Sequence, residues 1–125
     1  MDGVGASDWR GFEKRAENYL SELWATEVRP RTVMVGDAVP KLFDLVSADR
    51  RYVGDAKWMK NIPTPAAKWS TIAEYVWLLQ KTRAEMAFLV FGNDPTVAER
   101  FLAKWRPLVA PVQFFFLDER GHRVL

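Results

Sequence analysis

The chain has 125 residues, 49% hydrophobic and 14% aromatic, which argues for a packed globular core and against a disordered chain. It has no cysteine and one histidine, so disulfides and thiolate metal sites are excluded, and neither a zinc site nor a Ser/His triad is expected. Any metal must then be held by carboxylate oxygens, which favours hard cations such as magnesium or manganese. The net charge of +2 and pI near 9.0 argue only weakly for an anionic partner.

No apolar run is long enough to span a bilayer, so no membrane association is expected. Residues 1–7 lack the basic start and apolar stretch of a signal peptide. They read as a flexible tail, residues 8–125 as a single domain, and the protein as cytoplasmic.

Ser7 or Asp8 can cap a helix running to about Ala25. Phe12, Ala16, Tyr19, Leu20 and Leu23 recur at helical spacing as its buried face. Glu13 and Glu17 stand one turn apart beside that face, where a solvated charge is the ordinary reading. The Arg29–Arg31 segment ends the helical region, because proline breaks a helix. Arg31 to Val35 reads as an edge strand and Gly36-Asp37 as a turn.

Lys41 to Trp58 (KLFDLVSADRRYVGDAKW) reads as two strands joined by a polar turn. A turn centred between Asp49 and Arg50 sets Asp44 opposite Asp55, on one face with Cβ atoms about 5 Å apart. Lys57, two residues on from Asp55, shares that face. Leu42 and Val46 are expected beside Asp44, with Phe43 and Leu45 on the other side, as in a central strand covered on both faces. Like charges facing each other in a hairpin are destabilising unless offset, and a divalent cation would offset them. A salt bridge from Asp44 to Lys57 or an arginine is the purely structural alternative.

Residues 60–65 read as a loop. A helix follows, starting at Thr64-Pro65 or at Thr71, and running to about Thr82. Its stripe of Trp69, Ile72, Ala73, Val76 and Leu79 is widened by Tyr75, Trp77 and Leu78. So apolar a helix is expected to be sandwiched or to form a dimer interface. Gln80 and Lys81, at its end, are either a polar terminus or a substrate contact. Met86 to Phe91 is a continuous apolar run, as in a buried strand. Asp94-Pro95 caps a last helix that stops at Pro107. Val112 to Leu117 is a strand, and His122 to Leu125 a short return strand, with His122 an exposed bystander.

This order of elements, with Asp44 on the second strand and Asp55-Ala56-Lys57 on the third, resembles the PD-(D/E)xK nuclease superfamily. The resemblance implies a restriction-endonuclease-like α/β fold: an αβββαβ core with a mixed sheet flanked by helices, and an additional C-terminal helix and strand. Residues 13–20 (EKRAENYL) are similar to the E-x-x-A-x-x-Y-L helix of small Holliday-junction-resolvase-like branches, which makes Glu13, not Glu17, the fourth member. Phe43 stands where the motif has proline. Gln80 or Lys81 matches the glutamine or lysine that many branches carry on the following helix.

The resemblance implies a Mg²⁺- or Mn²⁺-dependent nuclease. Asp44, Asp55 and the backbone carbonyl of Ala56 would bind the metal, with Glu13 reaching it through water. Lys57 would position the attacking water and stabilise charge on the phosphate. Arg50, Arg51, Lys60 and Lys68 are expected in loops beside this patch, either to follow a DNA or RNA backbone or as ordinary surface charge. With no room for a target-recognition domain, structure-directed or non-specific cleavage is expected, and a homodimer would serve two strands. The alternatives are a nuclease-fold protein that binds nucleic acid or a partner without cutting, and an assembly domain whose charges form an ion-pair network.

Overall fold

The computed structural model describes residues 9–60 and 66–125. In chain order they form α1 (Trp9–Trp24), β1 (Val28–Val35), β2 (Val39–Ser47), β3 (Tyr52–Met59), α2 (Ala66–Gln80), β4 (Met86–Asn93), α3 (Thr96–Trp105), β5 (Gln113–Asp118) and β6 (Gly121–Val124). The strands lie side by side in sequence order as one mixed sheet. The β3–β4 and β4–β5 pairs are parallel, and the other neighbours antiparallel.

The apolar periodicity of each helix decides which face it covers. Phe12, Ala16 and Leu20 of α1 pack on Leu45, Ala56, Phe88 and Val90. Ile72, Val76 and Leu79 of α2, with Phe101 and Leu102 of α3, cover the other face over Val46, Val53, Leu89 and Phe91. The class is therefore α/β, with helices on both sides of the sheet. Among the described residues, no helix is long and apolar enough to cross a membrane.

The position of α1 depends on Gly92. It pairs with Trp58 across the β3–β4 ladder. A Cβ at Gly92 would run into the Phe12 ring. Its absence lets α1 lie close to the sheet, and Phe12 also meets Trp58 at 5.4 Å between rings. Glu13 follows Phe12 directly, so this contact sets where the glutamate stands.

Several expectations need correction. The helix ends at Trp24, next to the expected Ala25, but it is Ala25 in the left-handed region at φ 52° that ends it and not Pro30. Strand β1 then begins at Val28 and contains Pro30. As an edge strand β1 tolerates a residue without an N–H. The register moves from Arg29–Val46 to Arg31–Phe43, so Pro30 faces two residues of β2, Asp44 and Leu45. This is a β-bulge, and it breaks the alternation of β2. Phe43 and Val46, three apart, both face α2, while Leu45 faces α1. Leu42 does not share a buried face with Val46 but is 60% exposed. Leu23, in the last turn of α1, is likewise exposed.

Beyond the bulge the β1–β2 hairpin reaches the C-terminal end of α2. The Gly36 amide donates to the Lys81 carbonyl at 2.9 Å, and Asp37 pairs with Arg83. The expected start of α2 at Thr64-Pro65 lies outside the described residues, as does the tail at 1–7. Thr71 lies inside the helix rather than at its start. At the expected Asp94-Pro95 start of α3, Pro95 is the N-cap and Asp94 Oδ1, just before it, accepts the Thr96 amide at 2.8 Å.

Candidate metal and phosphate site at the β2–β3 gap

Strands β2 and β3 pair through Val46–Val53 and Leu45–Gly54, the register that a turn between Asp49 and Arg50 dictates. One step further along, the ladder stops. There the side chains of Asp44 and Asp55 replace backbone carbonyls as acceptors. The Asp44 amide donates to Asp55 Oδ1 at 2.8 Å, and the Ala56 amide donates to Asp44 Oδ2 at 3.3 Å. The strands are thus held apart by two carboxylates, each satisfying a main-chain donor at the end of the β2–β3 ladder.

Asp55 is 3% exposed. Its Oδ2 receives Lys57 Nζ at 3.2 Å. Lys57, mostly buried itself, lies over the ring of Tyr75 from α2, with Nζ 3.2 Å from the centroid. Lys41 of β2 also stands over this ring, at 5.4 Å. Glu13 approaches from α1.

The electrostatics reveal a surplus of negative charge. Burial pushes the Asp55 carboxyl up to about 6, and Asp44 adds to the rise, while Lys57 opposes it. Glu13 is pushed up to about 7, first by burial and then by Asp44, Asp55 and Glu17, against the pull of Lys57. Tyr75 is raised too, by burial and then by Asp55. Three carboxylates therefore face one closely paired ammonium.

This donor set fits a hard divalent cation in part. It contains only oxygen, and a carboxylate offers about four lone-pair sites, of which Asp44 and Asp55 use few. Among the described residues, Asp44 Oδ1 receives no hydrogen bond. Among them also, no three His, Cys, Asp or Glu side chains are gathered closely enough to hold a metal unaided. Two carboxylates suit Mg²⁺, which keeps several waters and binds through one or two protein carboxylates plus substrate phosphate.

The remaining residues named from the sequence are dispersed. Gln80 Nε2 donates to the carbonyls of Leu108 and Ala110, both at 2.9 Å, and so ties α2 to the segment after α3. Lys81 is exposed beside the β1–β2 turn. Arg51 makes a two-pronged pair with Glu85 at 2.7 and 2.9 Å, and Arg50 donates to the Thr32 carbonyl at 3.1 Å. Both sit at the β2–β3 turn, about 13 Å (Arg51) and about 16 Å (Arg50) from Asp55 by strand rise, rather than beside the gap as expected. Lys60 and Lys68 are exposed on either side of residues 61–65.

Sequence reasoning misses Tyr75 and Lys41. Tyr75 falls by spacing into the apolar stripe of α2, and only its polar tip could mark it. His122 is exposed as expected, yet its Nδ1 lies 2.6 Å from the Tyr19 hydroxyl. No family model, curated protein or solved structure matches the chain.

Proposed function

We propose that this chain is a metal-dependent nuclease that hydrolyses DNA phosphodiester bonds on a restriction-endonuclease-like core. One observation carries the reading: two buried or half-buried carboxylates interrupt the β2–β3 ladder, with a lysine ammonium 3.2 Å from the deeper one. Opposed carboxylates at this depth weaken a fold unless something offsets them.

Asp44 and Asp55 would hold Mg²⁺ or Mn²⁺, with the Ala56 carbonyl, and with Glu13 acting through water. Such a metal polarises the scissile phosphate and makes bound water acidic. Lys57, fixed beside Asp55, orients the attacking water and stabilises charge that develops on the phosphate. The carboxylates around it favour this electrostatic role over proton abstraction. Lys60 and Lys68 are exposed and free to follow the DNA backbone, or an RNA backbone by the same chemistry. Arg50 and Arg51 already bond within the protein and contribute less. Gln80 and Lys81 act through the position of α2.

In this reading cleavage is structure-directed or non-specific rather than sequence-specific. A homodimer belongs to the same proposal, because α2 leaves Trp77 58% exposed. The absence of cysteine suits a cytoplasmic setting.

A second reading is a nuclease-fold protein that binds nucleic acid or a protein partner without cutting. It is favoured by the lack of a third carboxylate ligand among the described residues. The deciding assay incubates wild type, Asp55→Asn and Lys57→Ala with duplex, single-stranded and branched DNA, in Mg²⁺, Mn²⁺ or chelator. Metal-dependent cutting by wild type alone supports the nuclease. Binding without cutting in every metal supports the second reading.

A further inference from the structure

Resting on the nuclease reading, we infer that Tyr75 is a positioning residue for Lys57, and that its ring also presents Lys41 as a second cation for the substrate phosphate. Lysine is a flexible point charge on a four-carbon stem. Left to itself, the Lys57 ammonium would sample several rotamers around the gap. Two contacts restrict it: Asp55 Oδ2 at 3.2 Å and the face of Tyr75, whose centroid is also 3.2 Å from Nζ. The attraction of an ammonium for an aromatic face operates within about 6 Å of the centroid, and it is stronger when the pair is desolvated.

Lys41 reaches the same ring at 5.4 Å and the Phe43 ring at 5.7 Å. Among the described residues its ammonium meets no carboxylate within ion-pair distance; its hydrogen bond is a long one, 3.4 Å, to the Leu42 carbonyl. Two ammonium groups from strands on opposite sides of the gap therefore converge on one side chain of α2. A site of two carboxylates and a metal must still accommodate the negative oxygens of DNA, and this pair of cations supplies the complement.

A ring that merely packs predicts something different. Its replacement would lower stability without changing the kinetics of folded protein. Tyr75→Phe keeps the aromatic face, and Tyr75→Leu keeps bulk and helix propensity while removing it.

The test combines NMR of the Lys57 side chain with steady-state cleavage in Mg²⁺. In wild type and Tyr75→Phe, the Lys57 ε-methylene protons are expected upfield from ring current. Tyr75→Leu loses that shift. Its kcat falls about 10- to 100-fold with KM nearly unchanged, as for a misplaced catalytic group. Tyr75→Phe retains wild-type kcat. Lys41→Ala raises KM and lowers the salt dependence of DNA binding by about one counterion. If wild type cleaves and folded Tyr75→Leu cleaves equally well, the positioning role is overturned while the nuclease stands. An unchanged KM and salt dependence in Lys41→Ala overturns its phosphate role. If wild type shows the ring-current shift but cuts nothing, the nuclease reading fails and the positioning role with it.

Discussion

The two ends of the β2–β3 hairpin treat their carboxylates in opposite ways. At the turn, Asp49 accepts from the Arg51 amide at 3.0 Å and from Ser47 Oγ at 2.8 Å, and Glu85 is gripped by the Arg51 guanidinium. These bonds hold both carboxyls below their ordinary range. At the open end, burial and mutual repulsion push Asp55 and Glu13 up instead. Both ends belong to one hairpin. The turn has satisfied its charges within the protein. The gap has kept a deficit that an external cation would fill.

The comparison predicts its largest effects at the gap. Asp55→Asn and Lys57→Ala should each lower metal-dependent cleavage about 10³-fold, several kcal/mol of lost stabilisation in the transition state. The assay is initial rate at saturating Mg²⁺. Equal rates in wild type and both variants would remove the gap from the chemistry.

Stability separates the two jobs of Asp44. Asp44→Ala leaves the Ala56 amide without its acceptor, which should cost about 1–3 kcal/mol in urea unfolding. Asp44→Asn can keep that bond while relieving repulsion on Asp55 and Glu13. It should be as stable as metal-free wild type, or more so, while losing Mn²⁺ binding. A large loss in Asp44→Asn would mean that the charge itself holds the hairpin together.

The pH dependence follows in sign from the raised carboxyls. Glu13 at about 7 and Asp55 at about 6, against ordinary values of 4.5 and 3.8, keep protons in the folded state that the unfolded chain releases. Their stabilising contribution is complete below about pH 4 and is lost as pH rises through 6 and 7. Thermal melting of metal-free protein should therefore decline across that window, less so in Glu13→Gln. Mn²⁺ should raise the melting temperature more at pH 8 than at pH 5. A wild-type profile no steeper than that of Glu13→Gln would contradict the charge deficit.

The smallest effect belongs to the turn. Arg51→Ala removes exposed ion pairs, which contribute little. It should weaken DNA binding less than Lys60→Ala or Lys68→Ala in a filter-binding titration. The reverse order would return the turn to the substrate surface.

Much of this hairpin is legible in the amino-acid sequence. The Ala48-Asp49-Arg50-Arg51 turn dictates the register, and the register sets Asp44 against Asp55. Strand β4 declares itself as a continuous apolar run because parallel strands are buried on both faces. The bulge is not legible. Pro30 reads as a helix breaker, and its role opposite Asp44 and Leu45 emerges only once β1 is known to extend back to Val28. That extra residue in β2 is why simple alternation misplaces Leu42. Nor is Tyr75 legible, because α2 is apolar on so many sides that a functional ring looks like packing. Arg50 and Arg51 mislead for another reason: sequence proximity to the gap says nothing about which end of a hairpin a turn occupies.

The central claim is that the β2–β3 gap is a divalent-cation site. Crystals of the full chain soaked in Mn²⁺ at pH 8, with diffraction measured at a wavelength where manganese scatters anomalously, test it most directly. The account predicts an anomalous peak coordinated by Asp44 and Asp55. No peak at the gap, with Lys57 still bonded to Asp55, would contradict it.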